Sequence, residues 1–182
     1  MMICNLMEVK LPDVTLPAGY ALAPWTDAHQ AQIEAIAVDA VRDSIDAVAV
    51  PDASAENLAL TLRQLREGTY PHLGPFIAAA SLVVTAPDGE VAGYIACADA
   101  GTMGFVADVA VDRAHRRRGL GRLLVVRAME ALVANQYPMV GLAVTEGNPA
   151  QTLYESLGYT AMQRGEIATW WRDGRQLAWV AD

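Results

Sequence analysis

Four arginines stand close to two glycines in the segment RRRGLGR, residues 116–122. From Leu120 onward, apolar residues recur at three- and four-residue spacing, which predicts an α-helix to about Asn135. A helix N-terminus carries partial positive charge and unpaired N–H groups, so each nearby cation costs about 0.3–1 kcal/mol there. No Ser, Thr, Asp or Asn stands directly before Arg117 to cap those amides. The position of the arginines therefore needs a cause other than helix stability.

A bound phosphate would explain both features of this segment. Gly119 and Gly121 let a ligand approach the backbone with no Cβ in the way, and the turn directly follows a predicted strand. An anion on the amides of residues 117–122 would cap the helix and make the arginines its counter-charges. The alternative is a basic surface turn without a ligand.

Other nucleotide and catalytic motifs do not match. A P-loop needs GxxxxGK[ST], but the single lysine of the chain is Lys10. A dinucleotide-binding GxGxxG needs a third glycine where Leu124 stands, and Met139–Gly141 offer no acid for a ribose. There is no GxSxG nucleophile motif and no metal-ligand spacing.

Composition and charge bound the class of protein. The chain has 182 residues, 53% apolar and 19% charged, which predicts a single domain, 1–182. The apolar runs are too short to cross a bilayer, the start does not resemble a signal peptide, and Cys4 and Cys97 form no disulfide pattern. We therefore expect a cytoplasmic protein with no membrane partner.

The charge is unevenly distributed. Residues 1–100 hold 4 basic and 13 acidic residues, whereas residues 101–182 hold 9 and 8, and six arginines with no acid lie from Arg113 to Arg127. The net charge of −8 argues against a nucleic-acid partner. A small polyanion at the basic segment and a cationic second ligand elsewhere fit this distribution better.

The order of the predicted elements indicates an α/β layered fold with a mixed sheet. Two helices come first, then an antiparallel meander with a hairpin at Pro87-Asp88-Gly89, then strand–helix–strand–helix, then a C-terminal hairpin at Asp173-Gly174. The expected helices are Asp27–Val41, Ser54–Arg66, Leu120–Asn135 and Pro149–Leu157, and the expected strands outside the hairpins are Tyr20–Pro24, Met103–Val111 and Val140–Val144.

The stretches VADVAVDRAHRRRGLGRLL and VTEGNPAQTLYESLGY, taken together and in this order, resemble motifs of the GNAT superfamily of acetyl-CoA-dependent N-acetyltransferases. VADVAVDRAHRRRGLGRLL is similar to the pyrophosphate motif R/Q-x-x-G-x-G/A, here Arg116, Gly119 and Gly121, and VTEGNPAQTLYESLGY is similar to the LYE-x-LGF helix. Continuous similarity covers about residues 81–160, the CoA-binding core. The resemblance implies a mixed, mostly antiparallel sheet of six to seven strands flanked by about four helices.

The resemblance also implies acetyl-CoA as cosubstrate, in a cleft where the strands near Val109 and Leu142 splay apart. Pantetheine would pair with the backbone of Val109–Val111, and the pyrophosphate would take the amides of Arg117–Arg122. The implied cofactor-binding residues are Val109, Ala110, Val111, Arg116, Arg117, Arg118, Gly119, Leu120, Gly121, Arg122, Asn148 and Tyr154. No metal is expected.

In this family the acceptor amine attacks the thioester directly, and Tyr154 matches the tyrosine that protonates the departing thiolate. The alternative for Tyr154 is an aromatic core residue beside Leu153 and Leu157. Where the family usually has Asn, seven residues before the tyrosine, this chain has Gly147. The next residue, Asn148, fits equally a CoA contact and a plain helix cap.

Asp108 is the candidate base or acceptor anchor. On a regular strand Val106, Asp108 and Ala110 share one face, opposite Val109. An acid in the middle of a strand is expected to be partly buried and so to need a hydrogen-bonding or charged partner. In family members that act on amines, an acid at this position often lines the acceptor site. A structural carboxylate that binds Arg116 or a loop amide is the equal alternative.

The remaining candidates have weaker signals. Leu142 and Ala143 stand where ribosomal-protein N-terminal acetyltransferases of this superfamily carry a glutamate base, which weakens a peptide interpretation. His115 is a proton relay or, more simply, a surface residue of the turn. An acidic helix face and a Trp-rich tail complete the set. The acidic helix face, Asp39, Asp43 and Asp46, fits either the acidic mouth of an acceptor site or a solvated surface. The tryptophans of the tail, Trp170, Trp171 and Trp179, fit either a lid on the acceptor pocket or a homodimer contact.

The sequence thus predicts an N-acetyltransferase that transfers an acetyl group from acetyl-CoA to a primary amine. A small cationic amine is the first choice of acceptor, and a peptide or protein amine is the second. The rival from another class is a non-catalytic CoA-binding sensor module.

Overall fold

A computed structural model describes residues 1–42, 44–45, 54–71 and 73–161. Seven strands and four α-helices lie in this part of the chain. The strands are β1 (Met2–Asn5), β2 (Ala21–Pro24), β3 (Leu82–Thr85), β4 (Val91–Asp99), β5 (Gly104–Val111), β6 (Met139–Leu142) and β7 (Thr160–Ala161). The helices are α1 (Gln30–Arg42), α2 (Ala55–Glu67), α3 (Leu120–Ala134) and α4 (Ala150–Ser156).

The strands form one mixed sheet in the order β2-β3-β4-β5-β6-β1-β7, which confirms the expected fold class. Every neighbouring pair is antiparallel except β5 and β6. That parallel pair is short, because Gly104–Val106 face Val140–Leu142 and pairing then ends. From Ala107 to Val111, β5 continues without β6 beside it, so the two strands splay as the resemblance implied.

Two apolar cores hold the helices on opposite faces of the sheet. Helix α3 contributes Leu124 and Met129 to one core, which also takes in residues of α4. Helices α1 and α2 build the other core, in which Ile33 and Leu65 pack with Tyr94 of β4. The candidate cofactor turn therefore lies on the α3 side, and an acceptor approaching from the α1 side would meet a different layer.

The ends of α2 follow the sequence pattern closely. The Ser54 side chain accepts a 3.3 Å hydrogen bond from the Asn57 amide, and Gly68 closes the helix with φ +69°. A glycine in this left-handed conformation is the usual end of a helix. The predicted helix Ser54–Arg66 is confirmed to within one residue.

Strand β1 is an element that the sequence pattern did not predict. It lies between β6 and β7, with Met2 opposite Leu142 and Cys4 opposite Val140. Four residues are too few to show a clear alternation, and the partner strand lies near the other end of the chain. Tertiary pairing, which local pattern cannot show, creates this strand.

Several predicted boundaries were wrong by a few residues. The strand expected to Val144 ends at Leu142, because β5 gives it no partner further on. The start of the first predicted helix, Asp27–His29, is a 3-10 turn that leads into α1.

Among the described helices, none combines the length and apolar character needed to cross a membrane. The predicted C-terminal hairpin with its three tryptophans, and the acids Asp43 and Asp46, lie outside the described residues.

Candidate active site

The open edge of β5 follows from its pairing with β4. The Asp112 amide donates a 2.9 Å hydrogen bond to the Ala92 carbonyl of β4. Alternate residues of an antiparallel strand face the same neighbour, so Ala110 also directs its backbone toward β4. Val109 and Val111 direct their N–H and C=O groups to the other side, where β6 has ended. Of the three residues predicted to meet pantetheine, Val109 and Val111 therefore carry backbone groups that face away from β4, with no other described strand beside them, whereas Ala110 pairs with β4.

The turn before α3 lacks a side-chain cap, as the sequence pattern predicted. Gly119 takes a left-handed φ of +81°, and the first helical hydrogen bond runs from the Leu123 amide to its carbonyl at 3.0 Å. The amides of Leu120–Arg122 thus precede the first helical bond and point outward. A Cβ on Gly121 would contact only Val111 Cγ2, at 3.8 Å, so this turn lies beside the Val111 side chain at the end of β5.

The arginines of the turn divide into two kinds. Arg117 and Arg118 are exposed, and Arg117 has a φ of +64°, which is unusual for a residue with a side chain. Arg116 turns back, and its Nε donates a 3.1 Å hydrogen bond to the Val111 carbonyl. Arg122 is bonded to α4. Arg116 therefore occupies the Val111 carbonyl. The Val111 amide and both backbone groups of Val109 are left facing the gap between β5 and β6.

His115 is not a loose surface residue. Its Nδ1 lies 2.9 Å from the Tyr20 hydroxyl, and the two rings meet edge to face at 5.7 Å between centroids. Asp112 caps the short turn that carries His115 by accepting a 2.9 Å bond from the Ala114 amide. These contacts fix the chain just ahead of the arginine turn. The proton-relay role, the less favoured of the two interpretations of His115, is not tested by these contacts.

Tyr154 lies on α4 and is 7% exposed. Its ring centroid is 5.8 Å from that of Tyr159, which is itself buried. Asn148 caps α4 by accepting a 2.9 Å hydrogen bond from the Ala150 amide, so its helix-cap role is filled. Tyr154 therefore belongs to the α3-side core.

The Tyr159 hydroxyl lies deep in the same core. Among the described residues it has no hydrogen-bond partner. Burial raises the pKa of this phenol well above its usual value, and the nearby thiols of Cys97 and Cys4 raise it further. This hydroxyl is a buried polar group that costs stability.

Asp108 has a partner that sequence reasoning missed. The Tyr94 hydroxyl donates a 2.5 Å hydrogen bond to Asp108 Oδ2. Tyr94 is fully buried and Trp25 packs against it edge to face, with 5.5 Å between ring centroids. Burial, followed by the charge and hydrogen bond of Asp108, raises the pKa of the Tyr94 phenol well above its usual value. The signal was available: Tyr94 and Asp108 fall on adjacent strands of the predicted meander.

The expected face of Val106 was wrong. Ala96 pairs with Asp108 but Cys97 pairs with Val106, so Ala107 is an extra residue in β5. Such a bulge turns the strand and changes which face later side chains occupy. Val106 accordingly packs in the α3-side core, whereas Ala110, two residues beyond Asp108, packs in the other core.

Of the three acids on the predicted acidic helix face, only Asp39 lies within the described residues. Asp39 is exposed and binds Arg42 at 2.9 Å, which fits a solvated helix face. In the part of the chain that the structure describes, no cluster of His, Cys, Asp and Glu is arranged to hold a metal ion.

Comparison with known proteins places this geometry in a family. Residues 55–159 match the model of the acetyltransferase (GNAT) family. The chain is 30% identical over 133 residues to a protein of Escherichia coli (strain K12) described as the uncharacterized N-acetyltransferase YhbS, covering 70% of this chain and 72% of that protein.

Solved structures share the fold. A GCN5-related N-acetyltransferase from Sphaerobacter thermophilus superposes with a TM-score of 0.61 at 18% identity, over 87% of this chain and 46% of that one, so the chain spans less than half of its length. The ribosomal-protein-S18-alanine N-acetyltransferase from Escherichia coli superposes with a TM-score of 0.58 at 21% identity, over 86% of this chain and 88% of that one. With the family match over residues 55–159, the chain belongs to the GNAT acetyltransferase family and is an acyltransferase.

Proposed function

We propose that the chain transfers an acetyl group from acetyl-CoA to a small cationic primary amine, by direct attack in a ternary complex. The observation that carries the proposal is that the uncapped N-terminus of α3 lies beside the end of β5, with 3.8 Å from the Gly121 Cβ position to the Val111 side chain. Asp108 lies on the same strand and faces the α1 side.

The chain's own groups fit acetyl-CoA. The backbone of Val109 and the amide of Val111 offer a strand edge to the amides of pantetheine. The outward amides of residues 117–122 offer donors to the diphosphate, and the exposed side chains of Arg117 and Arg118 offer positive charge. When bound, acetyl-CoA would supply an activated thioester for the acceptor amine to attack.

Two side chains take the proton roles. Tyr154, which is largely buried on α4, serves as the general acid that protonates the departing thiolate. Asp108 either accepts a proton from the acceptor amine or anchors its ammonium group, since the carboxylate is half-buried and held by the Tyr94 hydroxyl. The acidic N-terminal half of the chain would draw cations toward this side.

A panel of acceptors tests the proposal, with release of free CoA thiol as the readout. We expect diamines and polyamines to give the highest kcat/KM and neutral amines to give less. N-terminal peptides that outperform every small amine would support the peptide alternative. A melting-temperature rise with acetyl-CoA but no thiol release with any amine would support the sensor alternative.

A matched variant tests the general acid. Tyr154→Phe keeps the ring in the core and removes the proton donor, so turnover should fall by about 10²–10⁴. Affinity for acetyl-CoA, followed by thermal shift, should stay within a few-fold of wild type. Unchanged turnover with a good acceptor would return Tyr154 to a purely structural role.

A further inference from the structure

A hydrogen bond joins the first turn of α3 to the last turn of α4. Arg122 Nη2 donates to the Ser156 hydroxyl at 2.7 Å, although the two residues are 34 positions apart. The Ser156 hydroxyl in turn donates to the Leu153 carbonyl at 2.6 Å. Its proton is therefore committed to α4, and its lone pairs accept from the guanidinium.

This bond accounts for the charge of Arg122. A cation at the N-terminus of α3 is unfavourable, whereas a cation at the C-terminus of α4 is favourable, because a helix carries partial positive charge at its N-terminus and partial negative charge at its C-terminus. Arg122 resolves the conflict by reaching from α3 to the end of α4. Besides the counter-charge role predicted from the sequence, its guanidinium links α3 to α4 through a hydrogen bond.

The tie matters because α4 is short. It has seven residues, Ala150–Ser156, and a helix of that length does not hold its shape or place without tertiary contacts. Tyr154 lies two residues before Ser156 on this helix. The bridge through Ser156 is therefore a contact that fixes how α4, and with it the phenol, sits against the cofactor turn.

We propose that Arg122 and Ser156 form a positioning pair that sets the location of the Tyr154 hydroxyl relative to the turn before α3. The inference rests on the proposed function, since it assigns Tyr154 the role of general acid. The pair acts through Tyr154 and through no contact of its own with the acceptor. A small displacement of a catalytic group lowers the rate of the chemical step more than it changes binding.

Ser156→Ala tests the pair directly. It removes the hydroxyl and leaves Arg122 in place. We expect kcat to fall by about 3- to 30-fold, with the KM for the amine and the affinity for acetyl-CoA within about two-fold of wild type. Thr152→Ala, which removes an exposed hydroxyl from the same helix, is the matched control and should retain the wild-type kcat.

Two double variants separate positioning from general weakening of the fold. Ser156→Ala in a Tyr154→Phe background should cause little further loss of kcat, because the group being positioned is already absent. Arg122→Gln combined with Ser156→Ala should lose no more kcat than Arg122→Gln alone, since both remove one interaction.

Three results would overturn the inference. A wild-type kcat in Ser156→Ala would do so, and so would losses that multiply independently in either double variant. If Ser156→Ala lowered kcat only in proportion to the unfolded fraction seen by circular dichroism, the pair would be structural alone. Failure of the proposed function is a separate outcome, because wild-type protein would then release no thiol with any acceptor.

Discussion

The Tyr94 hydroxyl and Asp108 Oδ2 are joined by a 2.5 Å hydrogen bond across β4 and β5. Ala96 is the residue opposite Asp108, so Tyr94 is its diagonal neighbour on the same face of the sheet. The bond links a fully buried phenol to a half-buried carboxylate. A hydrogen bond to the charged form of an acid holds that form and fixes its orientation.

The first prediction concerns the charge of Asp108. Asp108→Asn keeps the shape and removes the charge, so the KM for a cationic amine should rise by about tenfold or more, which corresponds to about 1.4 kcal/mol. Tyr94→Phe should change KM in the same direction by less. Asp39→Asn, on the exposed face of α1, is the control and should change KM little.

Salt gives an independent reading of the same site. In wild type, the KM for a diamine should rise with ionic strength, because ions screen attraction beyond a Debye length of about 8–10 Å. This dependence should weaken in Asp108→Asn. Equal kcat/KM in wild type and variant, with no salt dependence, would contradict a cationic acceptor and leave the peptide alternative ahead.

The second prediction concerns the anion site. Acetyl-CoA should raise the melting temperature of wild type, because it binds the folded state only. Gly121→Glu places a negative side chain among the amides of the turn and should abolish that rise. Gly121→Ala is the control for an effect on the fold. Its Cβ would make only an ordinary van der Waals contact, and Ala is a better helix former than Gly. The ligand-free Gly121→Ala protein should therefore be at least as stable as wild type. A folded Gly121→Glu protein with the full rise would exclude this anion site.

The motif regions could be predicted from the sequence because each carries its own local signal. The uncapped turn at Gly119 and the capped helix that begins after Asn148 both lie where residue type and spacing placed them. The structure adds what depends on distant partners. Strand β1 exists only through its pairing with β6, and the bulge at Ala107 exists only through the register with β4.

Side-chain partners were the least predictable part of the site. The sequence places Tyr94 and Asp108 on adjacent strands of the predicted meander, but their hydrogen bond depends on the register of those strands, which the sequence does not show. The arginines of the turn were predicted as counter-charges, yet Arg116 binds a carbonyl and Arg122 binds Ser156. Charge patterning shows that cations gather, but the rotamer of each side chain is decided by neighbours from other elements.

The third prediction concerns backbone strain in the turn. Arg117 has a φ of +64°, which costs about 1 kcal/mol for a residue with a Cβ. Arg117→Gly should therefore raise the free energy of unfolding of the ligand-free protein. Gly119→Ala should lower it by about 1 kcal/mol, since φ is +81° there and a Cβ would meet nothing within 4 Å. Urea unfolding of both variants measures this, and shifts of the same sign would refute the strain argument.

The fourth prediction concerns the buried hydroxyl of Tyr159, which has no partner among the described residues. Tyr159→Phe removes it while keeping the ring, so the free energy of unfolding should rise by about 1 kcal/mol. Turnover should stay near that of wild type, in contrast to Tyr154→Phe. A loss of stability in Tyr159→Phe would show that the hydroxyl is hydrogen-bonded in solution.

The last prediction concerns pH and the Cys97 thiol. Burial raises the pKa of Cys97 to about 12, whereas an exposed thiol ionises near 8.5–9. Above about pH 9 the unfolded chain releases this proton and the folded protein keeps it, so the unfolded state becomes favoured. The stability that Cys97 contributes is thus complete below pH 9 and is lost as the pH rises toward 12, by up to about 1.4 kcal/mol per pH unit. Urea unfolding between pH 8 and pH 10 should show the decline, and Cys97→Ala should flatten it even though the variant is less stable at pH 8 because it loses core packing. An identical slope in Cys97→Ala would mean that another group, such as the Cys4 thiol, whose pKa burial also raises, is responsible.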